Sequence, residues 1–148
     1  MNFRVKAARA AFTTSAIVAA TILFGTQTAV AGTNDSFTVS TTGGGCGSVE
    51  FVDYGPGAPG GGNNDDYLVI HDYCSDGKGV RAYAWTDNRY HGGKNNTNGL
   101  AGAPVVWDPY QGEWNVIAND KVGIKVCLFN SNNALSNCAT ASRKSVDG

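Results

Sequence analysis

Tyr67-Leu-Val-Ile-His-Asp-Tyr-Cys-Ser-Asp-Gly-Lys-Gly-Val-Arg-Ala-Tyr-Ala-Trp-Thr-Asp87 reads as two strands joined by a tight turn. Asp76-Gly77 is the strongest short hairpin signal in the chain, because glycine takes positive φ at no steric cost. The runs on either side are rich in β-branched and aromatic residues, which pack well on a pleated surface. Successive side chains on a strand point to opposite faces. One parity of the pair carries Leu68, Ile70, Val80, Ala82 and Ala84, and looks like core. The other carries Tyr67, Val69, His71, Tyr73, Arg81, Tyr83 and Trp85. If the first set is buried, the second is a wet platform of rings. If the aromatic set is itself the core, or only makes cross-strand pairs within the sheet, there is no platform.

Outward from this stretch, short apolar-polar alternations recur at roughly even spacing. Ser36–Thr41 reads as an edge strand, Ser48–Tyr54 as a second, and 104–108, 113–117 and 121–129 as later ones, followed by a short return through 135–139. In 121–129, Val122, Ile124, Val126 and Leu128 share the inward parity. Gly55 to Asp65 is a loop dense in glycine and proline, and 88–103 reads as a second long loop. No segment after the leader has helical periodicity. The fold expected is a small antiparallel β-sandwich of seven or eight short strands, with a small β-barrel as the alternative.

Residues 1–31 read as a secretory signal peptide. Arg4, Lys6 and Arg9 precede an apolar run from Ala10 to Gly25, and Ala29-Val30-Ala31 is an A-x-A cleavage site. The run is too short and too rich in small residues for a membrane span. Residues 32–148 then form one domain of a secreted, extracellular protein, with no membrane span after cleavage. The leader removes three basic residues and no acidic one, which leaves eight basic against twelve acidic. A mildly acidic domain is a poor candidate for nucleic acid or an anionic membrane.

All four cysteines follow the leader, and an even count in an exported small domain implies two disulfides. No pair has the C-x-x-C spacing of a zinc site. With strands 48–54 and 67–74 antiparallel, Cys46 and Cys74 fall at matching ends, which favours Cys46–Cys74 and Cys127–Cys138. Direct opposition of Cys46 and Cys74 would turn Glu50 and Val52 inward, although Val49 and Phe51 form the better apolar face. A one-residue bulge at Gly45 or Gly47 would reconcile the two.

The chain holds no G-x-S-x-G, H-E-x-x-H or G-x-x-x-x-G-K motif, so no catalytic residue is assigned. A hydrolase would need two converging carboxylates, for which Glu50 with Asp72 or Glu113 with Asp108 could be drawn. Calcium is the one cofactor the composition suggests, through the oxygen ligands of Asp65, Asp66, Asp72 and Asp76, though these residues also make turns unaided. The ring set is the sharper candidate site. Tyr67, His71, Tyr73, Arg81, Tyr83 and Trp85 would share one face, with Arg89, Tyr90 and His91 joining from the neighbouring loop together with Lys94. Such a surface suits stacking on sugars or gripping a protein.

The motifs Thr41-Thr-Gly-Gly-Gly-Cys46, Asp66-x-Leu-x-Ile-x-Asp72, Asp76-Gly-x-Gly-Val-x-Ala82 and Val122-x-Ile-x-Val-Cys127 resemble those of small exported actinobacterial proteins of uncharacterised activity. The resemblance covers most of the chain after the leader and carries no activity or binding residue with it. Recognition motifs of two-disulfide amylase inhibitors and chromoprotein antibiotics are absent. The expectation is a secreted, non-enzymatic binding protein for an extracellular glycan or a protein. A small carboxylate hydrolase, an inhibitor or an antimicrobial protein are the alternatives.

Overall fold

Eight strands form in the order β1 Phe37–Ser40, β2 Gly47–Val52, β3 Tyr67–Asp72, β4 Gly79–Thr86, β5 Arg89–Asn96, β6 Val105–Trp107, β7 Lys121–Phe129 and β8 Leu135–Lys144. They make two four-stranded antiparallel sheets. The first runs β1-β2-β3-β6 and the second β5-β4-β7-β8. The computed structural model describes residues 34–53 and 66–146, all within the unit Ala31–Gly148. The leader and the whole glycine- and proline-rich loop from Gly55 to Asp65 lie outside the described residues. The architecture is the expected β-sandwich.

Period-two alternation places the core. Val39, Val49, Phe51, Leu68 and Ile70 point inward from the first sheet, and Val80, Ala82, Ala84, Val122, Ile124, Val126 and Leu128 from the second. Each fully buried aliphatic or aromatic side chain contributes roughly 1.5–3 kcal/mol relative to exposure. Tyr110 and Val116, from the connection between β6 and β7, are also fully buried, and Tyr110 meets Phe51 edge-on with ring centroids 5.8 Å apart.

The deciding stretch folds differently from a hairpin. The Asp76-Gly77 turn is present, with Gly77 at φ 73° and the Lys78 N–H donating to Asp76 Oδ1 at 3.0 Å. However, β3 and β4 belong to different sheets: β3 pairs with β2 and β6, β4 with β5 and β7. The connection from Tyr73 to Lys78 spans the ~10 Å between stacked sheets. The tight hairpin of this region is β4–β5, turned by Asp87 and Asn88 at φ 47° and 71°. Two positive φ values in a two-residue loop are those of a type I′ turn, which Asp and Asn tolerate.

Two further expectations are corrected. Residues 89–96, read as loop, form edge strand β5, because pairing along β4 outweighs the weak strand propensity of Arg-Tyr-His-Gly-Gly-Lys-Asn-Asn. Residues 113–117, read as a strand, instead contain a 3₁₀ turn at Gly112–Trp114. Asn96, at the end of β5, is 1 % exposed and ties the two sheets, its Nδ2 donating to the Ile70 carbonyl of β3 at 2.8 Å.

Both disulfides form as expected, Cys46–Cys74 and Cys127–Cys138. β2 and β3 keep an unbroken register, Val49 opposite Ile70 and Phe51 opposite Leu68, so no bulge interrupts the pair. The conflict is resolved beyond the ladder. The Tyr73 N–H donates to the Cys46 carbonyl, which makes Tyr73 the residue level with Cys46. Cys74 reaches Cys46 from one residue further on, its N–H donating to Asp72 Oδ1 at 3.2 Å.

Candidate functional site

Because β3 and β4 face each other across the core, their outward residues point to opposite sides of the molecule. Tyr67, Val69 and His71 lie on the outer face of the first sheet, and Arg81, Tyr83 and Trp85 on that of the second. The single platform expected from the sequence is therefore split. On the first sheet, His71 stacks on Tyr73 with centroids 5.4 Å apart and planes within 10°, and the Ser48 hydroxyl donates to the Tyr73 oxygen at 3.3 Å. Among the described residues that pair makes no ring contact with the other aromatic side chains.

The second sheet holds the larger group. Tyr83 and Trp85 alternate outward from β4, and the β4–β5 hairpin sets Tyr90 directly opposite Trp85. Centroids are 6.1 Å apart for Tyr83–Trp85 and 5.4 Å for Trp85–Tyr90, at tilts of 30° and 38°. Glycine supports the row: Gly93 lies opposite Tyr83, where a Cβ would stand 3.1 Å from the ring, and Gly123 lies opposite Trp85. Tyr83 and Trp85 are half-buried and Tyr90 is 55 % exposed.

Cations surround these rings. Lys125 of β7 pairs in register with Tyr83 and holds its Nζ 5.6 Å from that ring's centroid. On the other side, Arg81, Tyr83, Tyr90, Gly93, Lys94 and Asn95 line a shallow groove of about 540 Å³. Arg81 is fixed: its Nε donates to Asn95 Oδ1 at 2.6 Å, an Nη donates to Asn133 Oδ1 at 2.9 Å, and the guanidinium lies 4.6 Å from the Phe129 ring centroid. Amide and ring partners hold this cation in place without neutralising it. Among the described residues the salt bridge is Lys78–Asp76, 3.9 Å apart.

Arg89 and His91 stand apart from this face. The β4–β5 register shifts between Ala84 and Trp85, and His91 falls at that irregularity. Its Nε2 shares a hydrogen bond with the Thr86 hydroxyl, and its ring meets Tyr110 and Trp114 edge-on at 5.5 and 5.2 Å. Arg89 stacks on Trp114, 3.2 Å from the ring centroid. Burial, and then the Arg89 charge, lower the His91 pKa from its usual value of 6.5. These residues line a separate cleft of about 340 Å³ with Glu113, Asn115 and Asp120.

The first of the two carboxylate pairs does not assemble as drawn. Glu50 and Asp72 lie on opposite sides of the first sheet, Glu50 outward and Asp72 buried. Asp108 accepts the Tyr110 N–H at 2.9 Å, while Glu113 lines the cleft beside His91. Of the calcium candidates, Asp66 precedes β3 and Asp72 ends it, about 20 Å away at the rise of an extended strand. Asp76 makes its own turn, and Asp65 is outside the described residues. Among the described residues no three His, Cys, Asp or Glu side chains converge to hold a metal ion. Burial, with Asp66 and Asp108 nearby, keeps the Tyr110 phenol protonated well above the ordinary tyrosine range.

Sequence reasoning missed the core role of Tyr110, which the adjacent Asp108-Pro109 turn signal marks as a re-entry point. It also missed the partnership of Tyr90 with Trp85, which needed the Asp87-Asn88 turn to be read as a hairpin. Two disulfides, and no helix among the described residues long and apolar enough to cross a membrane, are compatible with an extracellular setting. No protein-family model, no curated protein and no solved structure matches the chain, so function has to be argued from its own geometry.

Proposed function

We propose that this is a secreted, non-enzymatic binding protein that lays an extended glycan strand along the outer face of its second sheet. The observation that carries the reading is the contiguous row Tyr83–Trp85–Tyr90, whose successive rings lie 6.1 and 5.4 Å apart on an open sheet surface. Sugar rings present apolar C–H faces that stack on aromatic planes, and a flat strand surface offers several such planes in sequence. The leader and the two disulfides support action outside the cell. Arg89 and His91 are engaged in their own cleft and take no part in the platform.

Retention of the domain on insoluble glycans, neutral and acidic, tests this reading. Trp85→Ala and Tyr90→Ala should each weaken retention about 10-fold, the scale of one lost stacking contact of 1–2 kcal/mol. Tyr73→Ala, on the far sheet, should leave it unchanged. Tyr90 is exposed, so its replacement does not threaten the fold. No retention of the unaltered domain on any glycan, or equal losses for Tyr73→Ala and Tyr90→Ala, would refute the platform.

A further inference from the structure

The two sheets differ in charge as completely as their composition allows. Strands β4, β5, β7 and β8 contain Arg81, Arg89, Lys94, Lys121, Lys125, Arg143 and Lys144 and no Asp or Glu. Strands β1, β2, β3 and β6 contain Glu50 and Asp72 and no Lys or Arg. Seven of the eight basic residues that follow the leader thus sit on one sheet, in a chain whose net charge is negative. By register Arg81, Lys121, Lys125 and Lys144 have the outward parity, while Arg89, Lys94 and Arg143 pair with the inward residues Thr86, Ala82 and Val122.

We infer that the strand taken by the second sheet is an acidic polysaccharide, one that carries a carboxylate on its sugar rings. The inference rests on the glycan-binding reading above and names its ligand class. Cations lie beside the central ring on its own face: Lys125 across the strand pair from Tyr83, and Arg81 next to it along β4. A uronic acid stacked on Tyr83 by its apolar face would project its carboxylate toward one of them. Arg81 is already oriented by Asn95, Asn133 and Phe129, so little side-chain freedom is lost on pairing.

Net charge does not oppose this. Stacked sheets stand about 10 Å apart, and charges beyond a Debye length of about 8 Å are largely screened at physiological salt. An approaching polymer meets the outward cations Arg81, Lys121, Lys125 and Lys144, with Glu50 and Asp72 of the first sheet a full layer behind. The carboxylate in the β4–β5 turn, Asp87, accepts the Lys121 N–H at 3.0 Å.

Affinity electrophoresis of the disulfide-intact domain in polygalacturonate and alginate, against methyl-esterified polygalacturonate, xylan and cellulose, tests the inference. Esterification removes the charge and keeps the backbone. The acidic polymers should bind at least about 10-fold more tightly than the ester, and should weaken about 10-fold or more between about 50 and about 500 mM salt. Lys121→Gln with Lys125→Gln, both on the outer face of β7, should cost about 10-fold on acidic polymers and nothing on neutral ones, whereas Trp85→Ala should weaken both. Equal binding to acid and ester without salt dependence overturns the acidic assignment and leaves the glycan reading standing. Binding to no polysaccharide overturns both. Tighter binding to single-stranded DNA than to polygalacturonate assigns the face to nucleic acid and overturns the inference.

Discussion

Removing the Asn96 side chain tests the tie between the sheets and the inward parity of β5. Its Nδ2 donates to the Ile70 carbonyl at 2.8 Å, its Oδ1 accepts the Asn98 N–H at 2.9 Å, and the residue is 1 % exposed. Asn96→Ala strands the Ile70 carbonyl between the layers, at roughly 1–3 kcal/mol for a buried unsatisfied group, and leaves a small void worth about 1 kcal/mol more. Asn98 is exposed, so its N–H turns to water at little cost. The expected loss is about 2–4 kcal/mol, a large part of a stability that for such domains is about 5–15 kcal/mol. Asn95→Ala, one residue away on the outward parity, removes an exposed hydrogen bond accepted from Arg81 and should cost no more than about 1 kcal/mol. Asn96→Asp should be worse than Ala at neutral pH, because a buried carboxylate would face a carbonyl, and should recover in acid as the carboxyl becomes a donor. Urea unfolding of the oxidised domain, followed by tryptophan fluorescence, measures all three. A loss below about 0.5 kcal/mol for Asn96→Ala, or an equal loss for Asn95→Ala, would refute the parity assigned to β5.

The two disulfides should differ in worth by loop length. Loop-closure entropy for sequence separations of 28 and 11 gives about 3.6 kcal/mol for Cys46–Cys74 and about 2.8 kcal/mol for Cys127–Cys138. Paired Cys→Ala variants compared by denaturant midpoint check the order, and a clear reversal would show that native-state packing dominates. Stability should also depend on His91. Its folded pKa lies below the 6.5 of the unfolded chain, so the unfolded state binds the proton first. Stability is therefore full above about 6.5 and falls as pH drops through the window down to the folded pKa. His91→Gln should flatten that part of the profile, and an unchanged slope would show that His91 is not its source.

Much of the fold is legible because strands announce themselves through parity. Val122, Ile124, Val126 and Leu128 alternate inward as read, and both disulfides join the expected partners. β5 was illegible because its Gly-Gly and Asn-Asn pairs have poor strand propensity. Pairing with the neighbouring β4 and the buried amide of Asn96 hold it extended. Glu113 to Ile117 looked like strand but pairs with neither sheet; Val116 anchors it in the core as irregular chain. Of the candidate site, Tyr83, Trp85 and Tyr90 come together, while Tyr67, His71 and Tyr73 fall on the far side and Arg89 and His91 turn to a separate cleft.

The sequence by itself determined which side chains share a face of each strand and pointed to a small antiparallel sandwich, because alternation with period two assigns every side chain of a strand to one face or the other. It could not determine which strands pair. Leu68, Ile70, Val80, Ala82 and Ala84 are buried whether β3 and β4 lie side by side in one sheet or face each other across the core. The outward residues distinguish the two cases, since side-by-side strands put all the rings on one surface and facing strands divide them. Tertiary structure chose the second, because β3 finds its hydrogen-bond partners in β2 and β6 and β4 in β5 and β7. That choice placed Tyr83, Trp85 and Tyr90 with the cations of the second sheet, on the surface where the proposed ligand would bind.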